Sequence, residues 1–166
     1  MTPDIVVIAA GLLSYGLWQS RCTLGRSGVT AAKTEGDGAT PAGRFPLRRV
    51  LYRPDRVTAP RGILPAIALA PDDGWCDDPT HADYNRPVRL PHPGSCEHLW
   101  RDDHVYDVIV VLGHNDDPPK PGLGSAIFLH VARADLGPTE GCVALAADDL
   151  LALLARIAPD TALLIR

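Results

Sequence analysis

Ala126-Ile127-Phe128-Leu129-His130 is an apolar run that ends on an imidazole, and Cys142 follows twelve positions later in Pro138-Thr139-Glu140-Gly141-Cys142-Val143. The first stretch has the length and composition of a buried strand. The second is a tight turn, because Gly141 lets the backbone bend sharply enough to present Cys142 beside the end of that strand. A histidine and a cysteine brought together in this way have a defined chemistry. A thiol with an ordinary pKa of about 8.5 attacks a carbonyl only after losing its proton, and a neighbouring imidazole is the usual acceptor.

Short apolar runs separated by Gly and Pro extend the β reading in both directions. Ile5 to Leu13 and Leu17 to Leu24 are two strand candidates joined through Ser14-Tyr15-Gly16. Gly36-Asp37-Gly38-Ala39-Thr40-Pro41-Ala42-Gly43 is dense in turn residues, and Arg44 to Tyr52 alternates loosely, as an edge strand carrying Pro46 would. Residues 54 to 103 hold many prolines and few apolar runs, which predicts loops and short strands laid over a core. Val105 to Leu112 is the strongest central-strand candidate, being β-branched and nearly continuous in apolarity. A single helix is expected, with Leu150, Leu153, Leu154 and Ile157 on one face and Asp148 and Asp149 in its first turn. Pro159-Asp160 should stop it, leaving Thr161 to Ile165 as a last strand. The class is mainly β with one principal helix, in one domain over residues 1–166.

Composition narrows the function. A net charge of -4 lacks the basic surplus that phosphate neutralisation needs, so nucleic acid is not an expected partner. No apolar stretch reaches the roughly 18 residues of a membrane span. The start, Met1 to Leu13, has an apolar core with Asp4 ahead of it and no Lys or Arg, so it reads as a strand and not as a secretory signal. The four cysteines are too irregularly spaced for a zinc ribbon; a disulfide between Cys76 and Cys96 and two free thiols are both open.

By residue type alone Cys142 belongs in the interior as an inert thiol, and His130 as a satisfied core histidine. The Thr139-Glu140-Gly141-Cys142 context is what separates them from that reading, since a nucleophile at such a bend has backbone N–H groups beside it for a developing oxyanion. His114, in the polar turn after the central strand, is the rival base. Asp103, His104, His114 and His130 are the competing zinc-hydrolase set, but no H-E-x-x-H or H-x-H spacing joins them, and neither metal nor cofactor is expected. Arginines from Arg44 to Arg53 are the forks a carboxylate-bearing substrate would require.

The segment from His130 to Leu145 resembles the catalytic signature of the L,D-transpeptidases, the YkuD family, in which a histidine precedes Ser/Thr-x-Gly-Cys-Val/Ile. Gly36 to Phe45 is similar to the family's early G-x-x-T-P-x-G-x-F turn, and Gly124 to His130 to the strand that delivers its histidine. This resemblance implies a β-sandwich-like catalytic domain acting on peptidoglycan stem peptides. Cys142 would be the nucleophile and His130 the base, with Gly141 and Cys142 giving backbone donors to the oxyanion and Thr139 shaping the turn. Glu140 stands where the family usually has histidine, and Ala144 where it has a basic or polar residue. The substrate carboxylate would then need another partner, for which Arg44 or Arg86 are candidates, with His114, Ser125 and Glu140 completing the expected substrate contacts.

The resemblance implies cross-links of the 3-3 or 1-3 type made by thioacyl ping-pong chemistry, and covalent capture by carbapenem β-lactams. The alternatives are a stem-peptide L,D-carboxypeptidase or amidase using the same site, and a non-catalytic wall-binding module that keeps the fold. The expected location is the periplasm or cell wall, where the substrate lies; with no signal peptide in view, a cytoplasmic location stays open.

Overall fold

The computed structural model describes residues 2–166; Met1, part of the N-terminal reading above, lies outside them. Two β-sheets stack on each other and share a strand at each end. One sheet runs β3 (Trp18–Thr23), β2 (Leu12–Tyr15), β1 (Ile5–Ile8), β14 (Ala162–Ile165) and β6 (Gly43–Tyr52). The other starts again from β3 and runs β13 (Val143–Leu145), β12 (Phe128–Val131), β11 (Val108–Leu112) and back to β6, with β7 (Ala66–Ala68) on the far side of β6. Most neighbours are antiparallel, while β1 with β14, β12 with β13 and β6 with β7 are parallel. A mainly β chain with one helix is what the sequence predicted, and the sandwich is closed at both ends by its shared strands.

Several elements differ from expectation. The stretch from Ile5 to Leu13 is two strands, because Gly11 adopts φ +78° and its N–H closes a turn onto the Ile8 carbonyl at 2.9 Å. Ser14 and Tyr15 belong to β2, and the next hairpin turns on Gly16 and Leu17 alone. The Arg44 to Tyr52 segment is not at an edge: β6 pairs with β14 through residues 43–46 and with β11 through residues 47–52. Pro46 is tolerated where one partner hands over to the other, opposite the first residue of β14.

The helix α1 (Ala147–Leu154) packs Leu150, Leu153 and Leu154 on the core. Ile157 is also buried but lies beyond the helix, which ends a turn earlier than the apolar spacing implied. Periodicity marks which residues are inside, not where the hydrogen bonds stop.

The central strands of the second sheet, β11, β12 and β13, are buried on both faces. Val108, Val110, Leu112, Leu129 and Val131 point into the sandwich core, whereas Ile109, Val111 and Phe128 point outward into a second cluster with Leu69, Trp75, Leu99, Tyr106 and Cys142. The cover on that outer face is the proline-rich excursion, which folds its own small sheet from β8 (Asp73–Cys76), β9 (Pro87–Arg89) and β10 (Cys96–His98). β4 (Val29–Thr30) and β5 (Thr40–Pro41) form a two-stranded clip beside it. Cys142 therefore lies between the buried centre of this sheet and a folded cover.

Candidate active site

His130 on β12 is registered with Ala144 on the parallel strand β13, two residues after Cys142. Side chains two apart on a strand share a face. Cys142 and His130 consequently line one cavity of about 350 Å³, with Tyr106, Ser125, Thr139, Gly141 and Ala144 around them.

The thiol has two backbone partners. It donates to the Ala126 carbonyl at 3.3 Å and accepts the Phe128 N–H at 3.4 Å. Ala126 holds φ +51°, a left-handed conformation that is rare for a residue with a Cβ and costs of order 1 kcal/mol. That turn aims its carbonyl at the sulfur. Asn85 fastens it: its Oδ1 accepts the Ala126 N–H at 3.0 Å and the Trp75 indole N–H at 2.9 Å, while its Nδ2 donates to the His114 and Asn115 carbonyls.

Burial pushes the Cys142 thiol up to about 12 and the His130 imidazole down to about 4. Both effects disfavour charge, so the resting pair is a neutral thiol and a neutral imidazole. His130 Nδ1 lies 2.9 Å from the Val131 carbonyl. A carbonyl can only accept, so Nδ1 carries the proton and Nε2 keeps the lone pair that a base needs. The Tyr106 ring packs edge-on against the imidazole at 5.2 Å, and its hydroxyl donates to Glu97. Burial, followed by the nearby Glu97 charge, holds the Tyr106 hydroxyl well above its ordinary pKa, and burial raises the Glu97 carboxyl.

The turn before Cys142 is tied from both sides. Thr139 Oγ1 accepts the Gly141 N–H at 3.1 Å and donates to the Cys142 carbonyl at 2.7 Å. Thr40 Oγ1, from the early glycine-rich motif, reaches the same carbonyl at 3.4 Å and accepts the Gly25 N–H at 2.8 Å. Gly141 has φ +142°, and a Cβ on it would stand 2.8 Å from the Ala39 carbonyl oxygen, so no other residue fits without movement. One expectation changes here. The Gly141 N–H is engaged by Thr139, which leaves the Cys142 N–H as the remaining donor of the expected oxyanion pair.

The expected substrate contacts separate. Ser125 lines the cavity with a buried Oγ that has no partner among the described residues, and Glu140 stands exposed at the rim, paired with Arg26 at 2.9 Å. Arg44 is elsewhere, bound to Asp4 through two hydrogen bonds of 2.7 and 3.0 Å on the other sheet. Arg86 lines a different cavity with Arg48, Arg49 and Trp75. His114 lines another, with Nε2 3.0 Å from the Leu123 carbonyl and its ring against Phe45, so it is not a rival base. The zinc-hydrolase set is not assembled either: among the described residues, none of the side-chain groups close enough to hold a metal ion includes Asp103, His104, His114 or His130.

The cations that do reach the cavity are Lys33, Arg101 and Arg133, which line it with the acids Glu35, Asp77, Glu97 and the rim residue Glu140. Sequence reading did not single them out. Lys33 had a usable signal, lying just ahead of the glycine-rich motif. Asp37 of that motif pairs with it; burial would raise the Asp37 carboxyl, but Lys33 and the N–H groups of Thr34 and Ala39 outweigh it and hold it at about 2. Lys33 is thereby held close to Gly141.

A family model for the L,D-transpeptidase catalytic domain, YkuD, matches residues 7–165. The chain belongs to the YkuD family. Comparison with curated proteins and with solved structures gave no match. The YkuD match spans both motifs and every strand that positions Cys142 and His130. YkuD domains act on peptidoglycan peptides. No helix of the described residues is long and apolar enough to cross a membrane.

Proposed function

We propose that this chain is a cysteine L,D-transpeptidase that forms peptidoglycan cross-links of the 3-3 or 1-3 type, working as one catalytic domain in the periplasm or cell wall, where its substrate lies. The observation that carries the reading is the shared cavity of Cys142 and His130, with the His130 Nδ1 proton held by the Val131 carbonyl. The polar lining supports the substrate class. A stem peptide ending beyond diaminopimelate brings both carboxylate and ammonium groups, and a lining of both cations and acids suits both.

Because both groups rest uncharged, the thiol proton moves to His130 Nε2 as the sulfur attacks the carbonyl of the L-centre. The oxygen takes the negative charge near the Cys142 N–H and the Lys33 ammonium. Collapse breaks the C–N bond, and His130 returns its proton to the departing amine of the D-residue, leaving a thioester on Cys142. An amine of a second stem then attacks that thioester, losing a proton to His130 and expelling the sulfur, which is reprotonated. The same sulfur would open a carbapenem ring and stay acylated.

Incubation of purified protein with a disaccharide-tetrapeptide, followed by chromatography and mass spectrometry, tests this. Cross-linked dimers with loss of one D-residue are expected. Shortened monomers alone would mean that water is the acceptor, and unchanged substrate would contradict the proposal.

A further inference from the structure

Outside the catalytic cavity, β8 and β10 set Cys76 directly opposite Cys96. The Cys76 N–H donates to the Arg86 carbonyl and its carbonyl accepts from Asn85, each at 2.9 Å, so both of its backbone groups face β9. Its pairing with Cys96 is therefore of the non-hydrogen-bonded kind, the closest approach in an antiparallel pair. Both cysteines are free; Cys76 is fully buried and Cys96 half-buried.

His92, in the loop between β9 and β10, brings a third donor. One ring nitrogen of His92 and the two sulfurs all lie within 4.8 Å of one another. His92 Nε2 is 3.1 Å from Asp83 Oδ2, so Nε2 carries the proton and Nδ1 the lone pair. A carboxylate behind an imidazole is the support that metal-binding histidines usually have, because it fixes the tautomer and raises the basicity of the other nitrogen. The lone pair of Nδ1 now meets the Gly94 N–H at 3.1 Å, a contact that a cation would replace.

We propose that Cys76, Cys96 and His92 bind a thiophilic divalent cation of the zinc class. Two sulfurs and one imidazole select a soft or borderline ion over magnesium or calcium. Tetrahedral zinc, with bonds of about 2.3 Å to sulfur and about 2.0 Å to nitrogen, needs its donor atoms about 3.5 to 3.8 Å apart. Closing each separation by about 1.3 Å at most brings these donors to that spacing. His81 stands next to His92, their ring centroids 4.5 Å apart. Binding releases the two thiol protons to solvent and closes three points of the excursion around one ion.

The consequence reaches the catalytic cavity through the chain. Asp77 follows Cys76, Glu97 follows Cys96, and both line the cavity. A cation between the cysteines fixes these two acids and, through Glu97, the Tyr106 ring that packs on His130.

The test uses the full chain carrying Cys142→Ala, reduced and stripped of metal, so that no signal comes from the proposed nucleophile. Titration with Co²⁺ is expected to give thiolate-to-cobalt charge-transfer absorption that saturates at one equivalent and is displaced by Zn²⁺. Adding Cys96→Ser should abolish the band, His92→Ala should weaken binding at least tenfold, and Cys22→Ser should change nothing. Circular dichroism checks that each variant is folded, and Zn²⁺ should raise Tm in the parent but not in Cys96→Ser. Absence of the band in the folded, reduced parent, or an equal band in Cys96→Ser, overturns the proposal. So does a purified protein that is two hydrogens lighter, takes no metal and carries a Cys76–Cys96 disulfide. None of these readouts depends on acyl transfer.

Discussion

The carbonyl of Ala126 accepts the Cys142 thiol at 3.3 Å, and it does so from a left-handed backbone that the residue adopts at a cost. The sulfur's position is thus set by a residue sixteen places away in sequence, held in turn by Asn85. Asn85→Ala removes acceptors for the Ala126 and Trp75 N–H groups, each buried, at roughly 1–3 kcal/mol apiece. Chemical denaturation should show that loss. Carbapenem acylation of the fraction still folded should slow as well, because the thiol is no longer aimed.

Gly141→Ala forces a Cβ to 2.8 Å from the Ala39 carbonyl oxygen at a positive φ. A loss of about 1–3 kcal/mol is expected, with acylation lost through displacement of Cys142. Thr139→Val leaves the Gly141 N–H and the Cys142 carbonyl short of a partner, whereas Thr139→Ser keeps both bonds. Acylation rates should therefore fall for valine and recover for serine, measured by stopped-flow fluorescence.

The protonation states give a pH signature. His130 has its folded pKa lowered to about 4 from an ordinary 6.5, so the unfolded chain binds more protons between those values. Stability is then lost as pH falls from about 6.5 toward 4, by about 3 kcal/mol from this group. Cys142 is raised to about 12 from 9.0, so its contribution is lost as pH rises above 9. Urea midpoints should trace the acid slope in wild type and a flatter one in His130→Gln. Iodoacetamide alkylation of Cys142 should show no plateau near pH 8.5, where ordinary thiols titrate.

Substrate contacts were the part of the site that sequence spacing placed worst. Arg44→Ala should leave KM for the tetrapeptide donor unchanged, since Arg44 is bound to Asp4 away from the cavity. Arg133→Ala should raise KM with a smaller change in kcat, as expected for a cation that binds a substrate carboxylate.

The strand ending on His130 and the turn before Cys142 were legible because each announces itself locally, by apolar run and by glycine. The early motif was visible too, but its purpose was not, since Thr40 acts on a carbonyl 102 residues away. Arg44 misled because an arginine in an alternating strand reads the same whether it faces a substrate or an aspartate. Lys33, Arg101 and Arg133 come from three separate loops, and only the tertiary fold brings them to one cavity. Protonation was beyond spacing as well: proximity of thiol and imidazole implied a thiolate, and burial reverses that.

Intact-mass spectrometry after carbapenem incubation tests directly the roles of Cys142 as the acyl acceptor and His130 as its base. Wild type should gain a single adduct mapped to Cys142, His130→Gln should gain it at least about a hundredfold more slowly, and Cys142→Ala should gain none. A folded wild type that stays unmodified, or an equal adduct on Cys142→Ala, would contradict these roles.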